Sequence, residues 1–159
     1  MTALRKIIEQ TGAKIVCSSS WRTTSASLAT LNSALAQNGL PICVDKTAVS
    51  HNGTPERCRA EEIRAWVAQN HWRCADGWVA LDDMDLRERL PASSFVRTRA
   101  EAGLTDYDAT AAVNKLGGPD PSLPPLPPPP RGGSGFNVIV TRGEMQRDAM
   151  RAAMAEGGT

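Results

Sequence analysis

The chain of 159 residues has room for one domain with a real core and too little for two. Hydrophobic residues at 41% and charged residues at 22% match globular usage and exclude wholesale disorder, while a net charge of +1 argues for neither a nucleic-acid coat nor an acidic tail. No apolar run approaches the roughly 20 residues of a bilayer span and no apolar signal core opens the chain, so the expected location is cytoplasmic, away from membranes.

Leu4, Ile7 and Ile8 form the apolar stripe of a first helix, which Gly12 ends. Lys14 to Cys17 then reads as a short buried strand running into Ser18, Ser19 and Ser20. Leu28, Leu31 and Leu35 line a second helix that stops at Gly39. Thr54 and Pro55 are placed as N-cap and first residue of a third helix, with Ile63, Trp66 and Val67 on its core face. Trp78 to Leu81 reads as a second strand, running directly into Asp82 and Asp83. Phe95 and Val96 mark a third. Thr105, with Asp108 three residues on, has the pattern of a capping box for a helix through Ala112, Val113 and Leu116 to Gly117.

This order predicts an α/β domain with a mainly parallel sheet over residues 1–116. Its oddity is the beginning, because such domains open with a strand and this chain opens with a helix. Beyond it, eight of the 11 prolines lie between Pro119 and Pro130, followed by Gly132, Gly133 and Gly135. Residues 117–135 therefore read as a linker, with polyproline II favoured over 124–130. A plain spacer is the ready reading, and a proline-binding protein partner is the alternative. Residues 136–159 are expected to give a short strand from Phe136 to Val140 and a helix from Glu144 to Ala155, with no placement or role assigned.

Cys17, Cys43, Cys58 and Cys74 are widely spaced, which favours reduced, structural thiols. A zinc site from Cys58, Cys74, His51 and His71 lacks the paired spacing that lets one turn present two ligands. His51 and His71 sit on no catalytic spacing, and there is no G-x-S-x-G elbow.

Ligands of open α/β sheets bind beyond the carboxyl ends of the strands, and two polar clusters fall there. In Ser18-Ser19-Ser20-Trp21-Arg22, hydroxyls and backbone N–H groups can hold a phosphate that Arg22 contacts; a capping serine run with a surface arginine is the equal alternative. In Leu81-Asp82-Asp83-Met84-Asp85, adjacent carboxylates call for a cation or basic partners, and Mg²⁺ suits oxygen ligands of this kind. The preceding apolar strand favours the metal over a solvated acidic turn, and Asp85 is the weakest member. Arg57 and Arg59 open the third helix beside Glu61 and Glu62, where they can neutralise a bound phosphate or form ordinary ion pairs.

Four segments carry a resemblance: K-I-V-C-S-S-S-W-R (14–22), R-A-E-E-I-R-A-W-V (59–67), W-V-A-L-D-D-M-D-L (78–86) and A-G-L-T (102–105). In order and spacing they resemble the haloacid dehalogenase (HAD) superfamily, and within it the small HAD domains of predicted RNA-repair ("Swiss army knife") proteins. The resemblance covers residues 1–116. It implies a Rossmann-like three-layer fold and a Mg²⁺-dependent phosphohydrolase acting on a phosphate ester, either a small molecule or a nucleotide or nucleic-acid end. Ser19 or Ser20 would be the phosphate-binding hydroxyl, Arg22 would support that loop, and Arg59 would stabilise the phosphoryl charge. Asp82 and Asp83 would position Mg²⁺, and the turn 103–105 would follow the last core strand.

The chain departs from this family pattern at one point. HAD enzymes carry their nucleophile in a D-x-D motif at the end of the opening, central strand, and neither strand nor motif precedes Thr2. Without that aspartate no phospho-aspartyl intermediate forms, so the chain as it stands is expected to be inactive. The gap would also leave two inner sheet edges exposed. The expected explanation is an upstream segment that carries the strand. A degenerate remnant and a non-catalytic phosphate- or partner-binding module are the alternatives.

Overall fold

A computed structural model describes residues 2–126 and, as backbone, 138–141. Its elements are α1 (Thr2–Thr11), β1 (Lys14–Cys17), α2 (Ser25–Gln37), β2 (Asp45–Lys46), α3 (Pro55–Gln69), β3 (Trp78–Asp82), β4 (Phe95–Arg97), α4 (Asp106–Lys115) and β5 (Val138–Thr141).

Local signals place most of these boundaries. α1 ends because Gly12 takes φ 63° and donates its N–H to Ile8 O at 2.8 Å, a left-handed closure that a side chain would strain. Thr54 Oγ1 caps α3 by accepting from Arg57 N, with Pro55 in the first turn. α4 opens with the full capping box: Asp108 N donates to Thr105 Oγ1, and Thr105 N donates back to Asp108 Oδ2.

The sheet order is β2-β1-β5-β3-β4. Its two faces alternate as strands require. Ile15, Cys17, Val79, Leu81 and Val96 pack with α1, α2 and α4, while Val16, Ala80 and Phe95 pack with Ile63 and Trp66 of α3 and with Leu86 and Leu90. The result is the expected three-layer α/β arrangement. Ile7, Ile15, Leu31, Leu35 and Leu81 are fully buried, each contributing about 1.5–3 kcal/mol.

The mainly parallel sheet holds for four of the five described strands, and one sheet expectation is corrected. The parallel pairings are β1 with β2 and β3 with β4, while β5 is antiparallel to both β1 and β3. The inner edges of β1 and β3 are not exposed. Lys14–Cys17 and residues 78–81 each pair over four residues with β5. The physical reason is the Val-Ile-Val-Thr run, whose β-branched residues suit a central strand and which arrives from the C-terminal side of the chain. Its position falls within the expected 136–140 strand except for Thr141. Residues 127–137 and the expected helix at 144–155 lie outside the described residues.

β2 was not expected. Its two polar residues carry no alternation, and its place is fixed by neighbours: Val44 N donates to Ile15 O, Thr47 N to Cys17 O, and Trp66 Nε1 to Asp45 Oδ2. The start of the tail is engaged with the domain. Asp120 N donates to Gln10 O, and Leu126 packs on the core. Among the described residues no helix is long and apolar enough to cross a membrane. All four cysteines are free thiols.

Candidate phosphate site

β1 and β3 end at the same level, because Cys17 and Leu81 both pair with Val138. The turns that follow, residues 18–22 and 82–85, therefore stand two strand spacings apart, about 10 Å. A chain of buried charges across α3 connects them.

At one end, Ser18 and Ser19 are buried while Ser20 and Trp21 are exposed in a single 3-10 turn, Ser20–Arg22. Arg22 organises this turn. Its Nη1 donates to Ser18 O and, at 2.7 Å, to Ser19 O; its Nε and Nη2 donate to Ala48 O at 3.4 and 3.3 Å; and Nη2 also donates to Glu62 Oε2. Those five bonds account for all five donors of a guanidinium. The side chain expected to contact phosphate oxygens thus spends its donors within the protein and shapes the loop, which is the role the family resemblance implied. Burial lowers the Arg22 pKa below the usual arginine value, opposed by the Glu62 charge.

Glu62 is the hinge of the cluster. Its Oε1 accepts from Ser50 N at 2.6 Å, and its Oε2 forms ion pairs with Arg22 and, at 3.7 Å, with Arg59 Nε. Sequence reasoning treated Glu62 only as a neighbour of the arginines. Its signal was the i,i+3 spacing from Arg59, which places both on one helix face.

Arg59 Nη1 then donates to Asp82 Oδ2 at 2.7 Å, joining α3 to the end of β3. Arg59 thus pairs through Nε with Glu62 and through Nη1 with Asp82. Arg57, two residues before Arg59 and so on another face of α3, is exposed and forms the ordinary i,i+4 pair with Glu61.

Asp82 is fully buried, and its second oxygen, Oδ1, accepts from Met84 N at 3.0 Å. Burial pushes its pKa above the usual carboxylate value against the pull of Arg59 and the Met84 N–H. Asp83 is half-buried, and its carbonyl accepts from Arg97 Nε at 3.4 Å. Asp85 is drawn off by Arg87 and Arg97, which hold its carboxyl well below the usual range.

Of the two carboxylates expected to hold Mg²⁺, Asp82 has its oxygens engaged by Arg59 and the Met84 N–H, and Asp83 follows it in the same turn. Among the described residues no three His, Cys, Asp or Glu side chains gather, and Mg²⁺ ordinarily takes only one or two carboxylates beside waters and a substrate phosphate. The zinc set of Cys58, Cys74, His51 and His71 does not gather either.

Beneath the serine turn, Cys17 Sγ lies 3.5 Å from Ser19 Oγ. A hydrogen bond between the Cys17 and Cys43 thiols holds Cys17 below the ordinary thiol range and Cys43 above it. A polar cleft of about 540 Å³ opens beside the site, between the start of α3 (Thr54, Glu56) and the β3–β4 connection (Asp85, Arg87). Ser19, Arg59 and Asp82 are not among its walls.

Past β4 the chain turns over residues 99–103, where Gly103 takes φ 64° and donates to Arg99 O at 2.7 Å, so the turn lies just before the expected 103–105 and Thr105 instead caps α4.

No curated protein and no solved structure matches the chain. The sequence model described as the HAD domain in Swiss Army Knife RNA repair proteins matches residues 1–109. The match spans β1, α3, β3 and β4, the elements that carry the serine turn, Arg59 and Asp82. The chain belongs to this HAD domain family.

Proposed function

We propose that this chain is the phosphate-recognising body of a HAD-type phosphohydrolase acting on phosphate esters, with a nucleotide or nucleic-acid end as the substrate class. The HAD family itself supports a phosphatase-related role. The observation that carries the finer reading is the buried chain Arg22–Glu62–Arg59–Asp82, which ties a serine turn and an acidic turn together at the same end of the sheet. Such an arrangement suits a dianionic oxygen cluster: Ser19 or Ser20 would donate a hydroxyl hydrogen bond, backbone N–H groups would add to it, and Arg59 would offset the charge. Ser20 is the accessible hydroxyl, and Ser19 is the one held in register by Cys17 and Arg22.

Turnover requires a nucleophilic carboxylate. Glu62 and Asp82 are committed to arginines, so in this reading the nucleophile comes from a further strand in the slot between β1 and β3 that β5 fills here. The chain as given binds phosphate without hydrolysing it. The test compares this chain with one extended through in-frame upstream codons, using a generic phosphate ester and a 3′- or 5′-phosphorylated oligonucleotide. Hydrolysis by the extended form alone, lost on Ser19→Ala/Ser20→Ala, supports the reading, and silence of both forms contradicts it.

A protein partner at the proline-rich tail is the second reading. It finds less support, because Leu123, Pro124 and Leu126 already line an apolar groove of about 570 Å³ on the domain itself.

A further inference from the structure

Within the described sheet, β5 opposes every other strand. β1 and β3 are each antiparallel to it, and β2 and β4 are parallel to β1 and β3, so four strands share one direction. When a doubly wound sheet carries an antiparallel strand, the usual place is an edge. Here that strand lies at the centre, laddered on both sides.

The neighbouring connection points the same way. α1 delivers the chain into β1 through Gly12 and Ala13 alone, and its buried face packs with α4 and the sheet. β1 itself runs in the direction shared by β2, β3 and β4. β2 holds one side of β1, and β5 holds the other. The slot thus has the surroundings of a parallel strand and holds an antiparallel one. Among the described residues that occupant spans four positions, and a Pro- and Gly-rich stretch of sequence precedes it.

We propose that the slot between β1 and β3 is a strand-exchange site, in which Val138–Thr141 is an internal competitor displaced by a parallel strand of β-branched residues. Strand exchange rests on the pairing alone. Its consequence, that β5 keeps the phosphate site without a nucleophile until it is displaced, rests on the function proposed above. A four-residue occupant is suited to this role, because it satisfies both inner edges and a longer strand can still outcompete it.

The test uses the full 159-residue chain and a lysine-flanked, fluorescein-labelled peptide of alternating valine and isoleucine, read by fluorescence anisotropy. Val140→Pro removes a ladder donor from a central strand, a position proline does not tolerate. Lys14→Cys with Thr141→Cys joins two Cα partners and locks β5 when oxidised. The expected result is at least tenfold tighter peptide binding by Val140→Pro than by the unaltered chain, none by the oxidised lock, and recovery on reduction. Equal binding by the oxidised and reduced lock overturns the proposal, even if Val140→Pro fails to fold. Titration with inorganic phosphate separates the two readings. Peptide exchange without phosphate binding defeats the function proposed above and leaves strand exchange standing, whereas phosphate binding with no exchange in any form does the reverse.

Discussion

Arg59 Nη1 and Asp82 Oδ2 are 2.7 Å apart, with the arginine side chain 10% exposed and the aspartate fully buried. The pair ties α3 to the end of β3 and sets where the acidic turn begins. Removing one partner strands the other in a low-dielectric site, so Arg59→Met is expected to destabilise the fold by about 3–5 kcal/mol. Replacing both, as Arg59→Met/Asp82→Leu, is expected to recover most of that loss. Urea denaturation of the two variants checks this; a double variant as unstable as the sum of its parts contradicts it.

Glu62 joins two arginines that would otherwise repel. Glu62→Gln keeps the shape and removes the charge, weakening the hydrogen bond from Arg22 and the ion pair with Arg59. The expected cost is about 1.5–3 kcal/mol, with looser phosphate binding because both Arg22 and the serine turn lose their anchor. A variant with unchanged denaturation midpoint and unchanged phosphate affinity would show that the cluster is incidental.

The buried Asp82 also gives a pH dependence of known sign. Its folded pKa is raised above the ordinary 3.8, chiefly by burial, so between those two values the folded state binds more protons than the unfolded state. The stability this group contributes is therefore largest below 3.8 and declines as pH rises through the folded value. Relative to Asp82→Asn, the unaltered chain should lose stability with rising pH across that window. Parallel profiles for the two proteins would show that Arg59 cancels the cost of burial.

Thr105→Ala removes one half of the α4 capping box, at an expected cost of about 0.5–2 kcal/mol without effect on phosphate binding. Thermal denaturation and phosphate titration of the same variant measure both halves of that statement.

Much of this architecture is legible in the chain because its signals are local. Thr54-Pro55, Thr105 with Asp108, and Gly12 each fix an element boundary through bonds within four residues. The serine turn and the acidic turn are legible because each directly follows a buried apolar strand. What was not legible depends on distant partners. β2 exists because Ile15, Cys17 and Trp66 hold two polar residues in place. The use of Arg22 depends on Ala48 and Glu62, 26 and 40 residues away. The position of β5 could not be read from Val-Ile-Val-Thr, because the run announces a buried strand and says nothing of which edges it will fill.

The central claim is that the serine turn and Arg59 form one phosphate site, and titration with inorganic phosphate followed by ¹H–¹⁵N NMR tests it most directly. The account predicts saturable shifts confined to the amides of residues 18–22 and the Arg59 guanidinium, with affinity lowered at least about tenfold in the variant Ser19→Ala/Ser20→Ala, the loss of a hydrogen bond to a charged group. Shifts scattered over surface lysines and arginines, or unchanged affinity in that variant, would contradict it.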